Sequence, residues 1–290
     1  MRQQKSLAVL VGVIVLLSLL SALFGLLGRK GDGRVPYESV RGETVLLHGE
    51  GPYRHMSGEV ALQGIAQDYV TLFIALPLFL FSFFAARRGS LRARYLLAGT
   101  LAYFLVTYLF YLVMGMFNEL FLAYSALTGA SFFALAFTLA SFDIPALKGM
   151  FHPGAPRKTA SFFLIFNASV ISLLWLSVVL PPLLDGSIYP RALEHYTTLP
   201  VQGLDLGLFL PLSFYSGLLF ARKDPRGYLF APVYLIFLSV LMTALTAKVI
   251  AMEMNGYPAG PALAVIPLFM LASWGLSAGL LSKVRSRGRK

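Results

Sequence analysis

Residues 69–86 read YVTLFIALPLFLFSFFAA, eighteen positions without a charge, preceded by Asp68 and closed by Arg87 and Arg88. At 1.5 Å of rise per residue such a run makes a helix of about 27 Å, close to the roughly 30 Å hydrocarbon thickness of a bilayer. Similar runs recur along the whole chain. The sequence predicts eight spans: Leu7–Leu27, Ile65–Ala86, Tyr95–Met116, Leu120–Ala140, Ala160–Leu184, Val201–Ala221, Tyr228–Met252 and Pro261–Ser282. The fold class that follows is all-α, a polytopic membrane helical bundle forming one membrane domain over residues 1–290.

Composition points the same way. Of the 290 residues 57% are hydrophobic and 13% charged, with mean hydropathy +0.73. A soluble domain carries about 25% charged and 45–50% apolar residues. A soluble enzyme, a disordered chain and a disulfide scaffold are excluded. With no Cys, so are thiolate metal sites, iron–sulfur clusters, Cys nucleophiles and CxxC redox chemistry.

The net charge of +11 invites a nucleic-acid reading, but its distribution argues against one. Alternating the connections between two sides puts 17 basic and two acidic residues on one side, and six basic and eleven acidic on the other. Lys and Arg concentrate on the cytoplasmic side of membrane proteins. Both termini are therefore expected in the cytoplasm and the protein in the cell inner (plasma) membrane. Its neighbours there are the lipid bilayer and, on the basic side, anionic inner-leaflet lipids; no nucleic-acid partner is expected. The first apolar run is about 21 residues long and is followed by Gly28, Arg29 and Lys30. A cleaved signal peptide has a shorter core, about 7–15 residues, and a small-residue cleavage site, so a retained helix is expected.

The one sizeable acid-side connection is residues 28–64. It is expected to hold a small extracytoplasmic β-hairpin cap, with Thr44–Leu47 turning through Gly49-Glu-Gly-Pro52 to Tyr53–His55. A parallel four-plus-four repeat is also legible. Gln63-Gly64, Asp68, Pro77, Arg87-Arg88 and Tyr95-Leu-Leu-Ala98 are echoed by Gln202-Gly203, Asp205, Pro211, Arg222-Lys223 and Tyr228-Leu-Phe-Ala231. The Gln-Gly-to-Asp spacing and the aromatic spans after it resemble those of uncharacterised bacterial multi-pass membrane proteins, over roughly Tyr53–Tyr124 and His195–Tyr228. The resemblance implies the class and carries no activity.

Ionisable groups inside spans are functional candidates. Counted from the basic connections, Asp68, Asp205 and Lys248 lie about 24–30 Å up their helices, one on each of three spans, with Gln67, Gln202 and His195 in the same layer. These six are the candidate substrate-binding residues of a polar vestibule open to the acid side. Two carboxylates and an ammonium suit a small cationic or zwitterionic solute. The competing expectation is that Asp68 and Asp205 cap helix N-termini and Lys248 pairs with one of them or snorkels outward. Gly203 with Gly207 and Gly275 with Gly279 read as close-packing glycines, and Pro77 and Pro211 as bends. His48, His55 and His195 match no zinc spacing, and no P-loop is present; no metal or cofactor is implied. A permease-like or solute-binding protein is the leading expectation. An outer-face membrane enzyme acting on a lipid-linked substrate, with His195 or an Asp as acid/base, and a non-catalytic subunit or sensor are the alternatives.

Overall fold

The computed structural model describes residues 2–285. The tail charges Arg287, Arg289 and Lys290, counted above with the basic connections, lie outside the described residues, as does the side chain of Arg2. Among the described residues, eight helices are long and apolar enough to cross a membrane: Lys5–Leu27, Gly58–Arg87, Leu91–Val113, Phe121–Ala140, Arg157–Leu184, Pro200–Ala221, Gly227–Met254 and Ala262–Ser282. They are numbered one to eight below.

Span two departs most from expectation. It starts at Gly58 rather than Ile65, so Asp68 lies nearly three turns inside the helix. A carboxyl there is not an N-terminal cap, because only the first turn has unpaired amides to accept.

Each half of the chain makes a ring of four. Span one packs on two and four, two on three, and three on four; five packs on six, six on seven, seven on eight, and five more lightly on eight. Spans three and seven pack on each other and join the two sets, and span seven also covers the first half of span two. Gly99 permits the central contact, since a Cβ there would stand 2.5 Å from Ile236. Gly217 does the same for spans five and six, its absent Cβ falling 2.9 Å from the Ser161 carbonyl. The glycines singled out by their GxxxG spacing behave differently. Gly203, Gly207 and Gly275 face open space, and a Cβ at Gly279 would meet only Pro156, at 3.3 Å. Their spacing is right, but their helix faces look away from the neighbouring spans.

The ends of the bundle differ in chemistry. At one end, the basic face, Arg92 donates to the Val284 and Ser282 carbonyls, Arg94 to Ser141, and Arg157 to Phe220 and Ala221. At the other, the cap face, Arg54 pairs with Glu119 at 2.7 Å and Arg41 donates to the Glu194 and Tyr196 carbonyls. The basic connections thus gather at a common end.

A two-stranded ribbon sits on the cap face, β1 (Val35–Glu38) antiparallel to β2 (Thr44–Leu47), with Val35 opposite Leu47. The expected partner of β2, Tyr53–His55, does not form that strand. Gly51–Tyr53 is a 3₁₀ turn, suited to Pro52, which has no amide for a ladder, and to Gly51 at φ 59°. The chain still returns beside β2, through His48 N–H to the Met56 carbonyl and a bridge between Leu47 and Ser57.

Candidate functional site

Spans two and six each contain one π-helical turn, Thr71–Ala75 and Asp205–Phe209. Each is followed directly by Leu-Pro, at Leu76-Pro77 and Leu210-Pro211. The cause is local. Proline offers no amide to the carbonyl one turn earlier and its ring crowds that carbonyl, and widening the preceding turn relieves the crowding. Leu76 and Leu210 accordingly donate to the carbonyls five residues back, Thr71 and Asp205. The two acids stand differently with respect to these turns. Asp68 precedes its turn by three residues, whereas Asp205 is the first residue of its own.

Asp68 is 2% exposed. Tyr53 donates to its Oδ2 at 2.5 Å, and the Tyr111 hydroxyl lies 3.2 Å from Oδ1 and 3.0 Å from the Gly64 carbonyl. Two glycines make room: a Cβ at Gly25 of span one would overlap the Asp68 carboxyl, and one at Gly64 would press on the Tyr53 ring. Burial, together with the adjacent carboxyl, pushes the Tyr53 phenol well above its ordinary range, so it stays a donor. Tyr108 and Tyr124 pack edge-on or stacked around Tyr111 and complete an aromatic wall.

Gln67 shares the helix with Asp68 but serves a separate network. Its Nε2 reaches the Tyr103 hydroxyl at 2.7 Å and Thr107 at 3.1 Å, Thr71 joins Tyr103 at 3.1 Å, and the buried Gln67 Oε1 has no partner among the described residues. Lys248 is half-buried on span seven, the span that packs on the first half of span two, where Asp68 lies. No carboxylate among the described residues lies within ion-pair distance of it.

Asp205 belongs elsewhere. It is half-buried on span six and accepts a 2.8 Å bond from the Trp175 indole of span five. Gln202, one turn earlier, is half-buried. His195 lies in the cap, its Nε2 2.9 Å from the His55 carbonyl and its ring between Tyr37 and Tyr196. The six candidates thus do not form one site: Asp68, Gln67 and Lys248 lie on the interior spans two and seven, with Gln67 on its own network, Asp205 and Gln202 lie on span six, and His195 lies in the cap. Glu253, near the end of span seven, accepts the Ala259 amide and closes its own turn. Asn167 is buried with its Oδ1 unpartnered among the described residues.

The partners of Asp68 were not among the sequence candidates. Tyr103 and Thr107, which serve Gln67, and Tyr111, which serves Asp68, repeat every four positions, the spacing of one helix face. That stripe of hydroxyls was the available signal. Tyr53 had none, because nothing local links the loop to span two. No family model, curated protein or solved structure matches the chain.

Proposed function

We propose that this polytopic protein is permease-like or solute-binding, with Asp68 and Lys248 as its polar centre. The observation that carries the reading is a buried carboxyl bonded by two tyrosines, on a span packed against the lysine-bearing span seven. A charged group at the centre of an apolar span costs about 2.5–3.5 kcal/mol on insertion scales, so an acid and a base on neighbouring spans suit a use. Asp68 is suited to an ammonium or a proton, and Lys248 to the anionic end of a zwitterion. The π turns of spans two and six are of the kind frequently found at functional sites.

The four-plus-four repeat is part of the proposal, supported by the matching rings of neighbours and the two π turn–Leu–Pro segments. So is the orientation, with the basic face and both termini cytoplasmic and anionic lipid beside them, supported by the positive-inside rule. The test is uptake or binding of a panel of amine and zwitterionic solutes by the protein reconstituted in liposomes. Asp68→Asn and Lys248→Met should abolish it and Asp205→Asn reduce it. Full activity in correctly folded Asp68→Asn and Asp205→Asn proteins would remove the site assignment.

A further inference from the structure

On the basic face a cavity of about 400 Å³ opens where the start of span three meets the end of span eight. Its volume is in the range of small-molecule sites, about 300–1,000 Å³. Arg92, His152, Ser282, Lys283, Val284 and Arg285 line it. Three of these residues are cations, and no acid is among them. Of the two acids read from sequence on this side, Asp143 and Asp224, neither lines the cavity, and Asp224 is paired with Arg226. No carboxylate among the described residues lies within ion-pair distance of Arg92, Lys283 or Arg285.

The backbone under these side chains is fixed. Phe151 and Val284 form an antiparallel bridge, closed by the His152 amide on the Lys283 carbonyl and the Arg285 amide on the Met150 carbonyl, both at 2.8 Å. Phe151 and Val284 are buried, whereas His152, Lys283 and Arg285 are exposed. The apolar pair thus anchors the bridge in the core and leaves the three polar side chains outside it. The last carbonyls of a helix carry partial negative charge, which would repel an anion at the end of span eight. Arg92 removes that obstacle, donating to the Val284 and Ser282 carbonyls at 2.9 and 3.1 Å. Those bonds use two of the five N–H groups of a guanidinium, so Arg92 keeps donors for a ligand.

We propose that this cavity binds a phosphate monoester, with Lys283 and Arg285 pairing its charge and Arg92 and His152 donating to its oxygens. Such a group carries about −1.5 to −2 charges near pH 7 and three strong acceptor oxygens, which suits several donors with no counter-charge among them. It can arrive on a lipid, as the headgroup of phosphatidic acid, or on a soluble molecule such as glycerol 3-phosphate; the chemistry recognised is the same. The lipid source rests on the reading of the basic face as the one beside anionic lipid. The site itself stands independently of the role given to Asp68.

The test is calorimetric titration of the full chain in phosphatidylcholine nanodiscs, with heats referenced to empty discs. The probes are short-chain phosphatidic acid, glycerol 3-phosphate and, as the diester comparator, short-chain phosphatidylglycerol. Nanodiscs present both faces, so the result does not depend on which face is cytoplasmic. At least one monoester should bind saturably, phosphatidic acid more tightly if the source is lipid and glycerol 3-phosphate if it is soluble. Phosphatidylglycerol should bind more weakly than that monoester. Lys283→Gln and Arg285→Gln should each weaken the monoester about tenfold, as loss of one charge-assisted bond does. Arg222→Gln combined with Lys223→Gln removes more charge from the same face without touching the lining, and should change binding by less than about twofold, because exposed charges at a distance are screened. Asp68→Asn should leave it unchanged, which separates this site from the interior one. Hydrogen exchange on the unmutated protein covers any variant that does not fold: the monoester should slow the bridge amides of His152 and Arg285 and leave the cap amides of residues 193–195 alone. No saturable binding of either monoester, equal binding of the diester, an equal loss in the variant changed at Arg222 and Lys223, or bridge exchange unaltered by the monoester would overturn the proposal.

Discussion

Spans two and six are built on the same local plan and end up in different surroundings. Each enters from the cap face with a Gln and an Asp, widens into a π turn, and meets Leu-Pro before running to a basic connection. In span two the acid is sealed between Tyr53, Tyr111 and Gly25, with Lys248 on the adjoining span seven. In span six the acid has a single indole partner and stays half-exposed, and the glycines around it face open space. The lesson is that local sequence sets the helix geometry, while the chemistry of its acid depends on which helices close over it. Span two is covered by spans one, three and seven; span six has only five and seven as substantial neighbours.

The difference predicts a graded series of effects. The largest belongs to Gly25→Ala, whose methyl must displace span one or the Asp68 carboxyl; overpacking of this kind costs about 1–3 kcal/mol. Thermal unfolding in nanodiscs should show it clearly, while Gly203→Ala in span six, with nothing nearby, should leave the melting temperature unchanged. Equal effects at the two glycines would erase the contrast.

Next come the bonds to the acids. Tyr53→Phe removes a buried hydrogen bond to the Asp68 carboxyl, worth about 0.5–1.5 kcal/mol, and should destabilise the protein more than Trp175→Phe, whose indole serves a half-exposed carboxyl group. The reverse order would mean that Asp205 carries the more important site.

The smallest effects should come from the rims. Arg226 beside Asp224 holds that carboxyl down to about 2, and Arg54 contributes to holding Glu119 below its usual range. A depressed carboxyl stabilises the fold above its ordinary pKa of about 4 and loses that contribution as pH falls through the folded value. Between pH 5 and 9 this contribution should therefore not vary with pH, and Asp224→Asn should change unfolding little throughout, because such exposed pairs contribute little. The absence of Cys makes sidedness measurable against a silent background. A thiol placed at Ser187 should be labelled in intact cells, and one at Ser141 only after permeabilisation.

The helices were legible because apolar run length is a direct physical requirement of the bilayer. Seven of the eight expected starts agree with the structure to within about four residues, by the ordinary scatter of helix ends. Ile65 failed because Glu59 and Gln63 look like loop residues, although the cap covers that turn and lets it stay helical. The interior site was half legible. Asp68 and Lys248 stand out as charges in apolar sequence, but Tyr53 reaches Asp68 through a loop fold no pattern encodes. Nor does spacing distinguish a glycine that faces a helix, such as Gly25, from one that faces away, such as Gly203.

The account rests on Asp68 and Lys248 behaving as one unit, and a double-mutant cycle in thermal unfolding asks that directly. Asp68→Asn and Lys248→Met should each lower stability, and the double variant should lose less than their sum by about 1 kcal/mol or more, the signature of coupled charges. Strict additivity would mean that the carboxyl and the ammonium act separately, and the polar centre proposed for this bundle would have no basis.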